Sequence, residues 1–276
     1  MLDSLMANNA APQRPTLVLD NGSRFTAVML ALPGMEASRW PKAELPAERP
    51  VEQTRDFLKK NDLPFPELTL LCGMNADKSD SPAQKRRAAR IQRWKDALRR
   101  TEGRPALLMK GDFSDWEVAP LISDARRVFG TAVGVDSGLA ALLAALSLES
   151  VRDRSFCEGV TILWAGHRHV QAFMVYQERL LGLYEQHSDI SRDALMNDLK
   201  EMRLNWLPDE QVRASGGHGC ICGDLPAEAE GFRPTYIMGP GRGNLKDCGR
   251  LISPCGDDRF DRCFGLIFGL SLGETA

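Results

Sequence analysis

Short apolar segments alternate with helical patterns along the first half of the chain. The apolar segments have the length of buried strands and cover residues 16–20, 68–72, 106–109 and 132–135. The helical patterns space apolar side chains three or four residues apart and cover residues 51–60, 82–100, 117–128 and 138–148. Parallel strands need long crossover connections, which are usually helices. The alternation therefore predicts α/β architecture with a mostly parallel sheet covered by helices.

Each half of the chain opens with a predicted β-hairpin. In the first half, residues 16–20 and 24–32 flank Asn21-Gly22, a dipeptide typical of hairpin turns. Four prolines within residues 33–50 then predict an irregular segment.

The second half follows a charged patch at residues 149–158. It is predicted to contain strands at residues 160–164, 169–176, 180–184 and 235–238, a helix at 191–203, and a final apolar segment at 263–272 of either type. We expect two α/β lobes, residues 1–150 and 151–276, and the repeated hairpin hints at duplication.

Composition limits the classes of function. The 276 residues are 43% hydrophobic and 26% charged, which excludes a disordered chain, and the formal net charge of -2 gives no overall attraction to nucleic acid or anionic lipid. No apolar stretch approaches the ~20 residues of a membrane-spanning helix, and residues 1–15 lack the pattern of a secretion signal. We expect a cytoplasmic location, in which the seven cysteines stay reduced.

The first candidate site is Asp20, Gly22 and Ser23 in the opening hairpin. A turn glycine lets backbone N–H groups face an anion, Ser23 adds a hydroxyl, and a strand-end Asp can hold hydrated Mg²⁺ while contributing little to packing. These residues predict a phosphate and Mg²⁺ site. The structural alternative is that Asn-Gly is simply the commonest two-residue hairpin turn.

The second candidate site is Gly239, Gly241 and Arg242, which follow a strand and precede a predicted helix start. Glycines here let a flat ring or a phosphate approach the backbone, and a helix N-terminus favours negative charge. The spacing matches neither a dinucleotide fingerprint nor a P-loop, so a plain strand-to-helix turn is the alternative.

Asp136 ends a strand and precedes a helix, where α/β enzymes often keep a carboxylate. It is a candidate general base. The preferred alternative is that Asp136 caps the helix together with Ser137.

Five of the seven cysteines fall between residues 220 and 263, near His218. Thiolates beside an imidazole suit Zn²⁺ or an iron–sulfur cluster, but the irregular spacing favours buried free thiols. His167 and His169 stand at strand spacing and face one side, which permits a shared metal or phosphate, although a structural pair is favoured.

The helix predicted at residues 82–104 holds nine Lys or Arg side chains against Asp96 and Glu102. Arg86, Arg90 and Arg93 share one face, where an acidic protein partner or nucleic acid could dock. A solvated outer face is the favoured alternative, because no aromatic side chains are interleaved.

Several segments, taken together and in order, resemble known proteins. Asp20-Asn21-Gly22-Ser23, residues 134–138, the hairpin around Gly166 and residues 238–242 resemble the layout of the actin, sugar-kinase and chaperone-ATPase superfamily. More narrowly, residues 134–146, 217–220, 253–257 and 263–266 resemble an uncharacterised prokaryotic family whose members are often labelled pyruvate formate-lyase-activating-like.

This resemblance implies two actin-like, ribonuclease-H-like lobes with a nucleotide cleft between them, and it implies ATP and Mg²⁺ as ligands. By position, Asp20, Gly22 and Ser23 match the first phosphate loop, with Asp20 holding the metal. The second phosphate loop is matched by Gly166 with His167 beside it. Gly239, Gly241 and Arg242 match the adenosine loop.

The sequence departs from the superfamily pattern at the second hairpin, which reads Trp164-Ala165-Gly166-His167-Arg168. Active members usually begin it with an Asp that positions Mg²⁺ or the attacking water, so we expect nucleotide binding with weak or lost hydrolysis. The glycine-rich stretch expected after residues 68–72 is also replaced by Gly73-Met74-Asn75-Ala76-Asp77.

The activating-like label does not predict the activity. A radical SAM activase needs three closely spaced cysteines for its cluster, and the sequence contains no such triplet. The alternative function is a non-catalytic scaffold or metal-binding protein that uses the cysteine-rich region and the basic helix.

Overall fold

The computed structural model describes residues 12–22, 24–73, 89, 92–94, 96, 118–157, 159–166, 169–177, 179–187, 192–205 and 235–274. The chain forms two compact units. The first takes in residues 1–79, 106–144 and 254–276, and the second takes in residues 80–105 and 145–253.

The first unit is built on a five-stranded mixed sheet. Its strands are β1 (Thr16–Asn21), β2 (Phe25–Ala31), β3 (Lys42–Pro46), β4 (Leu68–Gly73) and β5 (Ala132–Gly134), in the spatial order β3-β2-β1-β4-β5. The strands β1, β2 and β3 form an antiparallel meander, while β4 and β5 run parallel to β1.

Helices supply the apolar partners of this sheet. They are α1 (Pro50–Lys60), α2 (Ala119–Phe129), α3 (Ser137–Leu146) and, from the end of the chain, the helix Asp261–Glu274. Leu17 and Leu19 of β1 pack with Val51 of α1 and Ala125 of α2 in one buried cluster. Side chains alternate along a strand, so Asp20 projects from the other face of β1.

The second unit repeats this plan. Its strands are β6 (Val160–Ala165), β7 (His169–Tyr176), β8 (Arg179–His187), β9 (Thr235–Met238) and β10 (Arg250–Leu251), in the order β10-β9-β6-β7-β8. Its helices are α4 (Glu149–Cys157) and α5 (Arg192–Asn205), and we name the terminal helix of the first unit α6. Leu195 and Leu199 of α5 pack against Leu163 and Met174 of the sheet.

The two sheets share one topology. In each, the first three strands form a meander and the last two run parallel to the first. The expected mixed α/β fold with two sheets is confirmed, and the hairpin repeated in the sequence is part of a strand order that both sheets share.

Two segments differ from expectation. The first is the proline-containing segment, which includes the edge strand β3. Pro46 lies at the end of that strand, where the missing N–H costs no hydrogen bond of a central ladder. The charged patch forms α4 over residues 149–157, and the last apolar segment, for which helix and strand were both open, is the helix α6. Although the sequence assigns residues 254–276 to a second lobe, α6 packs on β1 and β2 and belongs to the first unit.

Other predicted segments lie wholly or mostly outside the described residues: the strand at 106–109, the helix at 82–104 and the cysteine-containing loop at 215–224. Of the basic helix, Trp94 is fully buried and its ring centroid lies 6.1 Å from that of Phe173. Within the described part of the chain, no helix combines the length and apolar character needed to cross a membrane.

Candidate functional site

The turn between β1 and β2 contains the first candidate residues. Asn21 is the last residue of β1 and pairs with Thr26, whose Oγ1 donates a hydrogen bond of 2.8 Å to Asn21 Oδ1. The strand bounds leave residues 22–24 between β1 and β2, so the structural alternative, a two-residue Asn-Gly turn, is not what the structure shows. Ser23 lies outside the described residues.

The amide of Gly22 is hydrogen-bonded within the turn. Its N–H donates a hydrogen bond of 2.9 Å to the carbonyl oxygen of Phe25 and so closes the turn. The prediction that this amide binds phosphate conflicts with that bond. Arg24, which no sequence motif singled out, has an exposed side chain in the same turn and carries a positive charge there.

Asp20 is a buried residue with a charged neighbour. Asp20 is 8% exposed and Arg262 of α6 is 5% exposed, and the distance from Arg262 Nη1 to Asp20 Oδ1 is 3.8 Å. Burial raises the pKa of the Asp20 carboxyl, while the guanidinium and a hydrogen bond from Cys72 act in the opposite direction. Asp20 is thus part of the packing, contrary to the expectation for a strand-end carboxylate.

The first turn of α6 is held against this hairpin by a second contact. Cys263 Sγ lies 3.7 Å from the carbonyl oxygen of Ala27, and Ala27 is the register partner of Asp20 across β1 and β2. Asp261, the first residue of α6, accepts a hydrogen bond of 3.2 Å from the N–H of Cys255. These contacts fix where Arg262 enters the unit.

The residues present do not fit Mg²⁺ at Asp20. Mg²⁺ prefers an octahedron of oxygen ligands and usually keeps several waters, whereas Asp20 is a single buried carboxylate beside a guanidinium. Within the described ranges, no group of three His, Cys, Asp or Glu side chains is arranged to hold a metal ion.

The turn between β6 and β7 is closed by a hydrogen bond equivalent to that of the first turn. The N–H of Gly166 donates a hydrogen bond of 2.8 Å to the carbonyl oxygen of His169, as Gly22 does to Phe25. His167 lies outside the described residues, so its role as a ligand of the second phosphate loop stays a prediction.

The glycines after β9 approach this second turn closely. The N–H of Gly241 donates a hydrogen bond of 2.8 Å to the carbonyl oxygen of Ala165. Gly239 has a φ of +93°, and a Cβ there would lie 2.6 Å from that same oxygen. The structure therefore brings Gly166, Gly239 and Gly241 together within one unit. The resemblance assigns Gly166 to the second phosphate loop and the other two to the adenosine loop, and these loops should be neighbours.

Trp164 occupies in β6 the position that Asp20 occupies in β1, two residues before the turn glycine. Its side chain is 2% exposed, and a Cβ on Gly239 would come within 3.0 Å of the indole ring. An indole thus fills the space in which a carboxylate would stand, so this turn has no acidic group at that position.

Arg242 has a structural contact in addition to its predicted role. It begins the 3-10 helix Arg242–Cys248, and its Nη1 donates a hydrogen bond to the carbonyl oxygen of Ile252. This bond connects the glycine turn to the segment that follows β10.

Asp136 has the geometry of a helix cap. Its Oδ1 accepts hydrogen bonds of 2.8 Å from the N–H of Gly138 and 3.4 Å from the N–H of Leu139, at the start of α3. The side chain is fully buried. These bonds match the capping alternative, and the role of general base stays a prediction.

A buried polar cluster beside the second turn had no signal in the sequence. His169 Nε2 lies 3.3 Å from Glu185 Oε1, and Gln171 Nε2 lies 3.5 Å from the same oxygen. All three side chains are buried. The strand β8 places the Glu185 carboxylate next to His169 of β7, whereas the pairing of His169 with His167 stays a prediction because His167 lies outside the described residues.

The described cysteines are mostly core thiols. Cys248 is buried in the second unit, Cys72 and Cys263 are buried in the first, and Cys255 is partly exposed. Burial and the neighbouring Asp261 carboxylate raise the pKa of Cys255 to about 12. Cys220, Cys222 and His218 lie outside the described residues.

Each of the two sheets has the same strand order, with a glycine turn after its first strand and a positive-φ glycine at the end of its fourth. This is the paired α/β layout that the resemblance to the actin-like superfamily implies. Residues 47–244 match the family described as "Putative pyruvate format-lyase activating enzyme (DUF1786)". The chain belongs to this family, which confirms the resemblance found in the sequence. A comparison with curated protein sequences finds no match.

Solved structures with a similar fold include three bacterial proteins. A Bacteroides thetaiotaomicron protein with actin-like ATPase fold and unknown function is 7% identical, with a TM-score of 0.49 and coverage of 97% of this chain and 98% of that one. The activator of 2-hydroxyisocaproyl-CoA dehydratase from Clostridium difficile, with bound ADPNP, is 10% identical, with a TM-score of 0.43 and coverage of 94% and 95%. The ethanolamine utilization protein EutJ from Carboxydothermus hydrogenoformans is 9% identical, with a TM-score of 0.42 and coverage of 93% and 90%.

Proposed function

We propose that the protein binds a nucleotide, with ATP as the first candidate, and hydrolyses it slowly or not at all. The observation that carries this proposal is the meeting of two glycine turns in the second unit, where the Gly241 N–H bonds to the Ala165 carbonyl. Because a Cβ on Gly239 or Gly241 would overlap the backbone of Ala165 or Gly166, the two glycines let these turns meet, and we place the ligand beside this junction.

The first turn supports the same proposal in a different way. Since the Gly22 amide is used within the turn, the exposed guanidinium of Arg24 is the group that the described residues of this turn offer to an anion. Hydrogen bonds between a guanidinium and phosphate are charge-assisted and frequently bidentate. We assign Arg24 the role of a phosphate contact.

Slow hydrolysis follows from the residue at position 164. Phosphoryl transfer gains most of its rate from positioning the attacking water and stabilising charge. The Trp164 indole is buried under Gly239 and offers no oxygen to orient water. Asp136 uses Oδ1 to cap α3, so its use as a base would compete with two amide hydrogen bonds.

Calorimetric titration of the full chain with ATP and ADP tests the proposal. Arg24→Ala is expected to weaken ATP affinity by roughly ten- to hundredfold, because hydrogen bonds to charged groups are worth about 1.5–3 kcal/mol. Arg127→Ala is the control, since Arg127 is also an exposed arginine and pairs with Asp124 on α2. The ATP affinity of this variant should equal that of the parent.

Two results would contradict the proposal. No heat of binding at millimolar ATP would reject nucleotide binding. Fast release of inorganic phosphate from the bound complex would reject the argument from Trp164.

The remaining sequence-based assignments stay predictions. An acidic partner at residues 82–104 depends on Arg86 and Arg90, which lie outside the described residues, and on Arg93, which is half-buried. A cytoplasmic location and a metal at the cysteine-rich region also stay predictions. We do not propose an activating-enzyme activity, because the sequence lacks the cysteine triplet that it needs.

A further inference from the structure

The feature that goes beyond nucleotide binding is the pair formed by Asp20 and Arg262. Asp20 stands where the resemblance expects a metal-holding carboxylate, and the Arg262 guanidinium lies 3.8 Å from its Oδ1. We propose that Arg262 is a built-in cation that takes the place of Mg²⁺ at Asp20, so that ligand binding at the first turn is independent of divalent metal. This inference rests on the proposed function for its ligand, a nucleotide.

The position of Arg262 is fixed by the fold. Arg262 is the second residue of α6, and the next residue, Cys263, has its Sγ 3.7 Å from the carbonyl oxygen of Ala27. Ala27 is directly opposite Asp20 in the hairpin. The helix therefore delivers the guanidinium to the carboxylate, and both groups are almost fully buried.

A metal ion would have to compete with this guanidinium. Two cations that share one buried carboxylate repel each other strongly, because the low dielectric of the interior weakens screening. Mg²⁺ also gives up its waters reluctantly, and the small exposed fraction of Asp20 leaves little solvent around it. Arginine is always protonated, so its positive charge is present without any bound ion.

The equivalent position in the other sheet fits this reasoning. Trp164 replaces the carboxylate there, so no counter-cation is needed in that unit. Among the described residues, α6 and Arg262 pack on the hairpin of the first unit, which contains Asp20.

Titration of Mn²⁺ into the full chain without nucleotide tests the inference, with free Mn²⁺ followed by electron paramagnetic resonance. The parent is expected to have no Mn²⁺ site at Asp20, so the Asp20→Asn change should leave its Mn²⁺ binding unaltered. Arg262→Gln removes the guanidinium, so this variant should gain a Mn²⁺ site that an added Asp20→Asn change abolishes. Arg259→Gln is the matched control, because Arg259 is an exposed partner of Asp257 and Glu44, and it should behave as the parent.

Mn²⁺ binding by the parent that depends on Asp20 would overturn the inference, and so would a folded Arg262→Gln variant that binds no Mn²⁺. If Arg262→Gln does not fold, the parent titration still decides the matter. The affinity of the parent for ATP, measured once in EDTA and once in Mg²⁺, gives a second test. The two affinities are expected to differ by less than about twofold. A gain of about tenfold in Mg²⁺ that depends on Asp20 would contradict the inference. Since the Mn²⁺ titration uses no nucleotide, its result is separate from the success of the proposed function.

Discussion

A residue type acquires its role from the residues that surround it. Asp20 and Trp164 stand at equivalent positions of the two sheets, yet one is a carboxylate that needs a cation and the other is an apolar ring that packs under a glycine. The guanidinium of Arg262 lies next to the Asp20 carboxylate. Neither residue presents an exposed charge at the surface of its turn.

Cys255 shows the same dependence on environment. It is partly exposed, which by itself suggests reactivity, but its Sγ donates a hydrogen bond of 3.0 Å to the Asp257 carbonyl and it lies near the Asp261 carboxylate. Burial and this negative charge disfavour the thiolate and raise the pKa of Cys255 to about 12. The thiolate is the nucleophilic form, so the residue should be inert.

We predict slow alkylation of Cys255 by iodoacetamide at pH 8. A shift of roughly three units from the ordinary thiol pKa lowers the thiolate fraction by about a thousandfold. The rate should rise continuously as the pH is raised toward 12. Peptide mass spectrometry of timed samples measures the labelling of Cys255 separately from the other cysteines.

The same protein unfolded in guanidinium chloride provides the control, in which Cys255 should label as fast as any free cysteine. Labelling of folded Cys255 at that unfolded rate at pH 8 would contradict the assigned environment.

At the scale of elements, α6 is held by close packing as well as by charge. A Cβ on Gly265 would lie 2.6 Å from the backbone nitrogen of Ala144 and would overlap the carbonyl oxygen of Ala140, both in α3. Small residues therefore let the two helices approach closely. Before the helix begins, Arg259 bonds to Glu44 of β3 at 2.9 Å and to Asp257 at 2.7 Å.

We predict that Gly265→Ala destabilises the protein. Overpacking of a tight contact costs about 1–3 kcal/mol, which exceeds the gain of about 1 kcal/mol from the better helix propensity of alanine. The free energy of unfolding, from urea denaturation followed by circular dichroism, measures the difference.

Gly243→Ala is the comparison variant, because a Cβ at Gly243 would meet nothing within 4 Å. That change should leave the unfolding midpoint nearly unaltered. Equal stability of Gly265→Ala and the parent would show that α3 and α6 can separate without loss.

At the scale of the whole molecule, the repetition of the sheet extends to single glycines. Gly73 ends β4 with a φ of +113°, and Gly239 follows β9 with a φ of +93°. A Cβ on either would come within 2.6 Å of the backbone of the neighbouring first strand, at Asn21 and at Ala165 respectively. The two positions are structurally equivalent.

We therefore predict that Gly73→Ala and Gly239→Ala destabilise the protein by similar amounts. Each pays about 1–3 kcal/mol for an unfavourable φ, together with the cost of moving the adjacent strand. Chemical denaturation of both variants measures the two losses.

Gly34→Ala separates the two causes. Gly34 has a φ of +70° but a Cβ there would meet nothing within 4 Å, so this change should show the backbone strain alone. A large loss for Gly73→Ala beside none for Gly239→Ala would mean that the repeat does not extend to these turns.

Most elements of the fold were predictable because their signal is local. The strands β7 (His169–Tyr176) and β9 (Thr235–Met238) are found where the apolar runs predict them. The edge strand β3 (Lys42–Pro46) was not, because its partly exposed side chains and its proline resemble those of a loop.

The candidate site was less predictable. Its glycines could be found from their place after predicted strands, but the use of the Gly22 amide within the turn depends on hydrogen-bond geometry that residue types do not encode. The pairing of Asp20 with Arg262 joins residues from opposite ends of the chain. No periodicity or spacing reports such a contact.

The return of α6 to the first sheet also sets the order in which the protein can be completed during synthesis. Cys263 and its partner Ala27 are 236 residues apart along the chain. A ribosome adds about 5–20 residues each second, so β1 and β2 wait on the order of ten to fifty seconds for this helix. Throughout that interval the nascent hairpin lacks both the apolar cover of α6 and the counter-charge for Asp20.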